Sequence, residues 1–94
     1  ASIIVLNGTS NAQLAEQTTK FLQAQGFQIF SYGSADRFDY ANTVLIDYTG
    51  TKSATLAELT RIFRVEPANI RRTASVNRDV DIRIILGADW TVPK

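Results

Sequence analysis

The sequence predicts an α+β domain whose elements run strand, helix, strand, strand, helix, strand. Three observations predict it. A β-branched run over residues 3–6 breaks at Asn7-Gly8 and gives way at once to apolar residues at helical spacing. A second strand-then-helix pair starts at residue 43, and the segment VDIRIIL near the end alternates apolar and charged residues with a period of two. The commonest arrangement for this order is the split-βαβ or ferredoxin-like sandwich, βαββαβ, with two helices on one face of a four-stranded antiparallel sheet. A mainly parallel open α/β sheet is the alternative, because the loop over 33–42 is long enough to recross the sheet.

Taken in order, Ile3, Ile4, Val5 and Leu6 have the look of a buried central strand. Ser10 stands where an N-cap belongs, and Gln13 completes a capping-box pattern with it. Leu14, Thr18, Phe21, Leu22 and Gln25 then trace one helical face, which Gly26 ends as a C′ residue. The second strand, over 27–32, carries aromatics in both phases. Either Phe27 and Ile29 or Phe30 and Tyr32 face the core, and Gly33-Ser34 breaks the strand.

Val44, Leu45 and Ile46 mark a third strand over 43–48, closed by Thr49-Gly50. Ser53 is placed as a second N-cap. Leu56, Leu59, Thr60 and Phe63 follow at helical spacing, with Glu58 and Arg61 set to pair across a turn. The segment VEPANIRRTASVNRD has no sustained period and reads as a long loop with one short helical turn after Glu66-Pro67. Val80, Ile82, Ile84 and Leu86 face inward on the last strand, while Asp81 and Arg83 face outward, the pattern of an edge or half-exposed strand.

Composition limits the function classes. The 94 residues make a single domain, 45% hydrophobic and 20% charged with a net charge of +1, so residues 1–94 form a foldable unit. The chain opens at Ala1, as a piece excised from a longer protein would. No apolar run approaches the roughly 18–20 residues that span a bilayer. Cys, His and Met are all absent. That removes ordinary zinc sites, thiol nucleophiles and Ser-His or Cys-His pairs; a hard-cation site of Asp oxygens is left open by composition but has no EF-hand spacing, and no metal or other cofactor is expected. The carboxylates Asp36 and Asp39 are near enough for acid-base work, but no apolar or like-charged neighbour in the local sequence tunes them. The reading is a non-enzyme.

Three features remain as binding candidates. The corner Asn7, Gly8, Thr9 joins a strand to a helix as phosphate loops do, yet it has one glycine and no lysine, so a tight turn is the preferred reading. Arg61, Arg64, Arg71, Arg72, Arg78 and Arg83 make the last third basic. Arginine suits bidentate contact with phosphate or carboxylate, although the same residues serve equally as a solvated surface with local pairs such as Arg78 or Arg83 with Asp79 or Asp81. No nucleic-acid signature accompanies them, and nucleic acid is not expected as a partner. The aromatic and acidic stretches DRFDY and GADW suit stacking on sugars, or packing onto the core, the favoured role for Trp90.

The segments VLNGT, LQAQGF, SYGSADRFDYANTVLIDYTG, ATLAELTRIF and VDIRIILGADW, in that order and spacing, resemble the LytR C-terminal domain over residues 3–90. That domain follows the catalytic domain of many LytR-CpsA-Psr proteins, which attach anionic glycopolymers to peptidoglycan outside the cytoplasmic membrane, and also occurs alone. The resemblance implies an extracytoplasmic, cell-envelope location and is compatible with a membrane-anchored parent protein. It carries over no catalytic residue, because the phosphotransfer groups belong to the catalytic domain. Leu6, Asn7 and Gly8, and likewise Leu86, Gly87, Ala88, Asp89 and Trp90, take structural roles.

The expected function is a non-catalytic accessory module that binds or positions cell-wall glycan, peptidoglycan or anionic glycopolymer. The alternative is a docking domain for the catalytic domain of the parent protein or another envelope component. Under the ferredoxin-like plan, Asn7, Gly8, Thr9, Phe38, Tyr40, Arg71, Arg72 and Arg78 gather at one edge of the sheet, and GADW lies at the opposite edge.

Overall fold

The computed structural model describes residues 3–11, 13–48, 53–72 and 80–90, with only the backbone of Ser53 and Arg72. The elements are β1 (Ile3–Asn7), α1 (Leu14–Ala24), β2 (Ile29–Ser34), β3 (Val44–Asp47), α2 (Ser53–Phe63), β4 (Ile70–Arg72) and β5 (Ile82–Leu86), with a 3-10 turn at Pro67–Asn69 before β4. They form one sheet in the order β2-β1-β5-β3-β4.

This mixed α/β sheet corrects the four-stranded ferredoxin-like plan. Three of its four ladders are parallel, β1 with β2, β1 with β5 and β3 with β4, and only β3 with β5 is antiparallel. The physical reason is the fifth strand. The segment after Pro67 supplies a short β4 beside β3, so α2 makes a crossover between parallel strands as α1 does. β5 then inserts between the two βαβ units. It is a central strand, and Arg83 faces outward because one sheet face is open, not because the strand is an edge.

Both helices cover the same face. Leu14, Ala15 and Leu22 of α1 and Leu56, Leu59 and Phe63 of α2 form one cluster with Ile3, Val5, Leu45, Ile82, Ile84 and Leu86, the alternate positions of three strands. Phe27 and Ile29 pack against it, whereas Phe30 and Tyr32 are 65% and 48% exposed. Trp90 closes the cluster. Its indole Nε1 donates to the buried Thr18 Oγ1 at 2.9 Å, and its ring lies 4.4 Å from Phe63 and 6.0 Å from Phe21.

The helix ends show how local chemistry acts. α1 starts at Leu14, later than a Ser10 cap requires; Ser10 is exposed, and Asn11 Oδ1 instead accepts from the Gln13 backbone N–H. At the other end Gly26 has φ +98°, Phe27 N–H donates to Leu22 O and Gly26 N–H to Gln23 O, the Schellman pattern that only a residue without Cβ adopts freely. α2 begins at Ser53 itself, and Glu58 pairs with Arg61 at 3.0 Å.

The C-terminal ends of β1, β2 and β5 and the N-terminal ends of β3 and β4 share one end of the sheet. GADW belongs to that end, not the opposite one: Ala88 N–H donates to Tyr40 O and Asp89 N–H to Ala41 O. Asp89 Oδ1 in turn accepts from both the backbone N–H and Oγ1 of Thr43. Of the arginine-bearing segment expected at this end, residues 73–79 lie outside the described residues. Arg72 and Ile82 both pair with Asp47, so the chain leaves β4 and enters β5 at the far end.

Candidate functional site

The site is the sheet face that the helices leave uncovered. Because side chains alternate along a strand, the register lays out this face row by row. One row runs Ser31, Ile4, Arg83, Ile46, Arg71 across all five strands, and the next runs Gly33, Leu6, Ile85, Val44. Arg83 and Arg71 therefore flank Ile46, two strand spacings or about 10 Å apart at Cα, close enough for two long side chains to address one ligand.

The loop between β2 and β3 walls this face at the end where the strand termini meet. The resulting groove has a volume of about 430 Å³. Leu6, Val44, Ile46 and Ile85 form an apolar floor, and Ala35, Asp36, Arg37, Tyr40, Arg71 and Arg83 complete the lining. Three guanidinium groups thus meet one carboxylate, and that carboxylate is occupied: the Tyr40 hydroxyl donates to Asp36 Oδ1 at 2.8 Å. This hydrogen bond, with burial and the Asp36 charge adding to it, raises the Tyr40 pKa above its ordinary 10.0 against the lowering influence of Arg37 and Arg71.

The arginines are not equivalent. Arg37 pairs with Asp39 at 3.0 Å and lies 4.5 Å above the Tyr40 ring, a surface arrangement that orders the loop. Among the described residues, Arg71 and Arg83 have no ion-pair partner within 4 Å. Arg83 Nε is buried without a hydrogen-bond partner, and its guanidinium carbon lies 5.5 Å from the Tyr48 ring centre. An unpaired buried donor costs stability. Asp36 accepts from Tyr40 and Asp39 pairs with Arg37, so each carboxylate holds a different partner.

The structure brings Tyr40 and Arg71 together in the groove. Phe38, 56% exposed, lies outside its lining. Arg72 occupies the next register position, opposite Asp47, out of phase with Arg71. Arg78 falls outside the described residues. Asn7, Gly8 and Thr9 lie outside the groove's lining. The Asn7 amide donates to Asn11 O while its Oδ1 accepts from Thr9 N–H and Oγ1, which closes the corner without an anion. A Cβ on Gly8 would stand 2.6 Å from Leu86 O and from the Tyr40 ring, so glycine lets Tyr40 pack on the strand end.

Arg37 and Arg83 line the groove, although the sequence singles out neither as a site residue: Arg83 figures there as one of the six arginines of the basic last third, and Arg37 only within DRFDY. The signal for Arg83 is its place as a lone cation in an otherwise apolar strand; for Arg37 no local signal separates it from a surface charge. Among the described residues no three or more acidic groups gather as a metal site, and no helix is long and apolar enough to cross a membrane.

Neither curated proteins nor solved structures give a match to this chain. A family model does, over residues 1–90, which takes in both βαβ units, the groove and Trp90; its family is described as the LytR cell envelope-related transcriptional attenuator. The chain therefore belongs to the LytR C-terminal domain family, accessory domains of cell-envelope proteins.

Proposed function

We propose that this domain is a non-catalytic accessory module of an extracytoplasmic envelope protein, and that its open sheet face holds an anionic segment of cell-wall glycopolymer beside the parent protein's catalytic domain. One observation carries the reading: Arg71 and Arg83, both without a carboxylate partner among the described residues, flank the same groove, and Arg83 Nε is buried and unsatisfied there. A phosphate or carboxylate accepts from such a pair in bidentate fashion. Tyr40 adds an aromatic edge against which a sugar ring packs.

The test is a titration of isotopically labelled protein with a soluble phosphodiester-linked glycopolymer, and separately with uncharged glycan fragments. The expected result is amide shifts clustered at Tyr40, Ile46, Arg71 and Arg83 with the anionic polymer only, weakening as salt rises. Shifts centred elsewhere, or equal binding of the uncharged fragments, would overturn the reading.

A further inference from the structure

The two edges of the sheet are built differently. β4 is three residues long, carries Arg71 and Arg72, and follows Pro67, so charge and shortness guard it against strand addition. β2 is six residues long, the longest strand among the described residues, and from Gln25 to Ala35 the chain has no charged residue and no proline. Among the described residues no hydrogen bond reaches residues 29–34 from the outer side. Among the described residues three large hydrophobic side chains are well exposed, and two of them, Phe30 and Tyr32, lie on this edge. The ladder to β1 shifts register beside Phe30 but resumes over Ser31–Ser34, so the bulge does not remove the edge.

We infer that β2 pairs antiparallel with β2 of a second copy of this chain across a two-fold axis at Ser31, joining the two sheets into one. The occupant follows from charge and symmetry. A two-fold contact sets a segment against itself, so a charged edge opposes like charges, whereas an uncharged one does not. Centred on Ser31, the pairing places Phe30 of each copy opposite Tyr32 of the other, two cross-strand aromatic pairs in a single ladder. A register centred on Phe30 instead sets Tyr32 opposite Gln28, and one centred on Tyr32 sets Phe30 opposite Ser34, so neither pairs both rings with aromatic partners. The inference does not depend on what the groove binds.

The chain has no cysteine, which makes the test direct. Directly opposed residues in antiparallel strands have Cα atoms about 4.5–5.5 Å apart, inside the range a disulfide bridges. Ser31→Cys should therefore form a covalent dimer under mild oxidation, and Gln28→Cys on the same chain should not. Sedimentation of the unmodified chain should show mass doubling between roughly 10 µM and 1 mM, the range of a small interface. Phe30→Lys with Tyr32→Lys should stay monomeric across that range with an unchanged circular dichroism spectrum. A monomer at 1 mM, a dimer that survives the double lysine variant, or a dimer in which the Ser31→Cys thiols do not cross-link would each overturn the inference.

Discussion

Replacement of Arg83 by leucine separates a binding role from a structural one. In the folded protein Arg83 Nε is buried without a partner, a donor whose desolvation costs about 1–3 kcal/mol. Its cross-strand neighbours on the open face are Ile4 and Ile46, so leucine there gains apolar pairs of about 0.2–1 kcal/mol. Against this stands the loss of the guanidinium over Tyr48 at 5.5 Å, about 0.5–1 kcal/mol for such a pair. The balance is a stabilisation of about 1 kcal/mol, or a Tm rise of about 4–8 °C for a domain of this size. Binding of an anionic glycopolymer should fall at least about tenfold, the equivalent of about 1.4 kcal/mol. Thermal unfolding followed by circular dichroism reads the first quantity and calorimetric titration the second. A variant destabilised by more than about 1 kcal/mol, or one that binds as the parent does, would refute the reasoning, because Arg83 would then be holding the sheet together or doing nothing for the ligand.

Three further outcomes follow from the same geometry. Thr18→Val leaves the Trp90 indole N–H without its acceptor and should cost about 1–3 kcal/mol in urea unfolding, with a coupling of at least about 0.5 kcal/mol to Trp90→Phe in a double-mutant cycle. Gly8→Ala brings a methyl group to 2.6 Å from Leu86 O and the Tyr40 ring, so it should destabilise by about 1–3 kcal/mol and also weaken polymer binding, whereas Gly26→Ala should affect stability only. The raised Tyr40 pKa gives a sign for alkaline pH: the Asp36 hydrogen bond favours the neutral phenol in the folded state. Its contribution is present below the ordinary tyrosine pKa and is lost as pH rises through the folded value. Ultraviolet difference titration should show one tyrosine ionising late, and Tyr40→Phe should remove it.

The helix-covered half of this fold is legible in local sequence, and the open half is not. Leu14, Thr18 and Leu22 recur at helical spacing, Val80, Ile82, Ile84 and Leu86 alternate, and Gly26 marks a helix end; each pattern reports burial against one layer, and each is buried or capped as read. β4 escapes because three residues are too few to display a period. Strand order escapes for another reason. β5 lies between β1 and β3 through contacts far apart in sequence, and no window of residues records which neighbour a strand takes. The row Arg83, Ile46, Arg71 exists only once three strands are in register. This is why the sequence offers Tyr40, Arg71 and Arg83 only as members of separate aromatic and basic stretches, and does not single out Arg37.

Pairing of β2 with its copy bears on the groove in a way a monomer does not. Antiparallel strands within one sheet are related by an axis normal to the sheet, so both copies keep their helices on one side and their open faces on the other. Two grooves then face the same direction on one rigid surface. A glycopolymer repeats its anionic group along its length, so a chain engaged at one groove is held near the second, and linkage of this kind raises apparent affinity by factors on the order of 10² without a new contact. A single-unit anionic fragment gains nothing from it. The Phe30→Lys, Tyr32→Lys double variant, with its groove intact, should therefore bind a short fragment as the parent does and bind the long polymer at least about tenfold more weakly. Equal loss for both ligands would mean that the edge substitutions had damaged the groove itself. Equal retention would mean that polymer is held by one domain at a time.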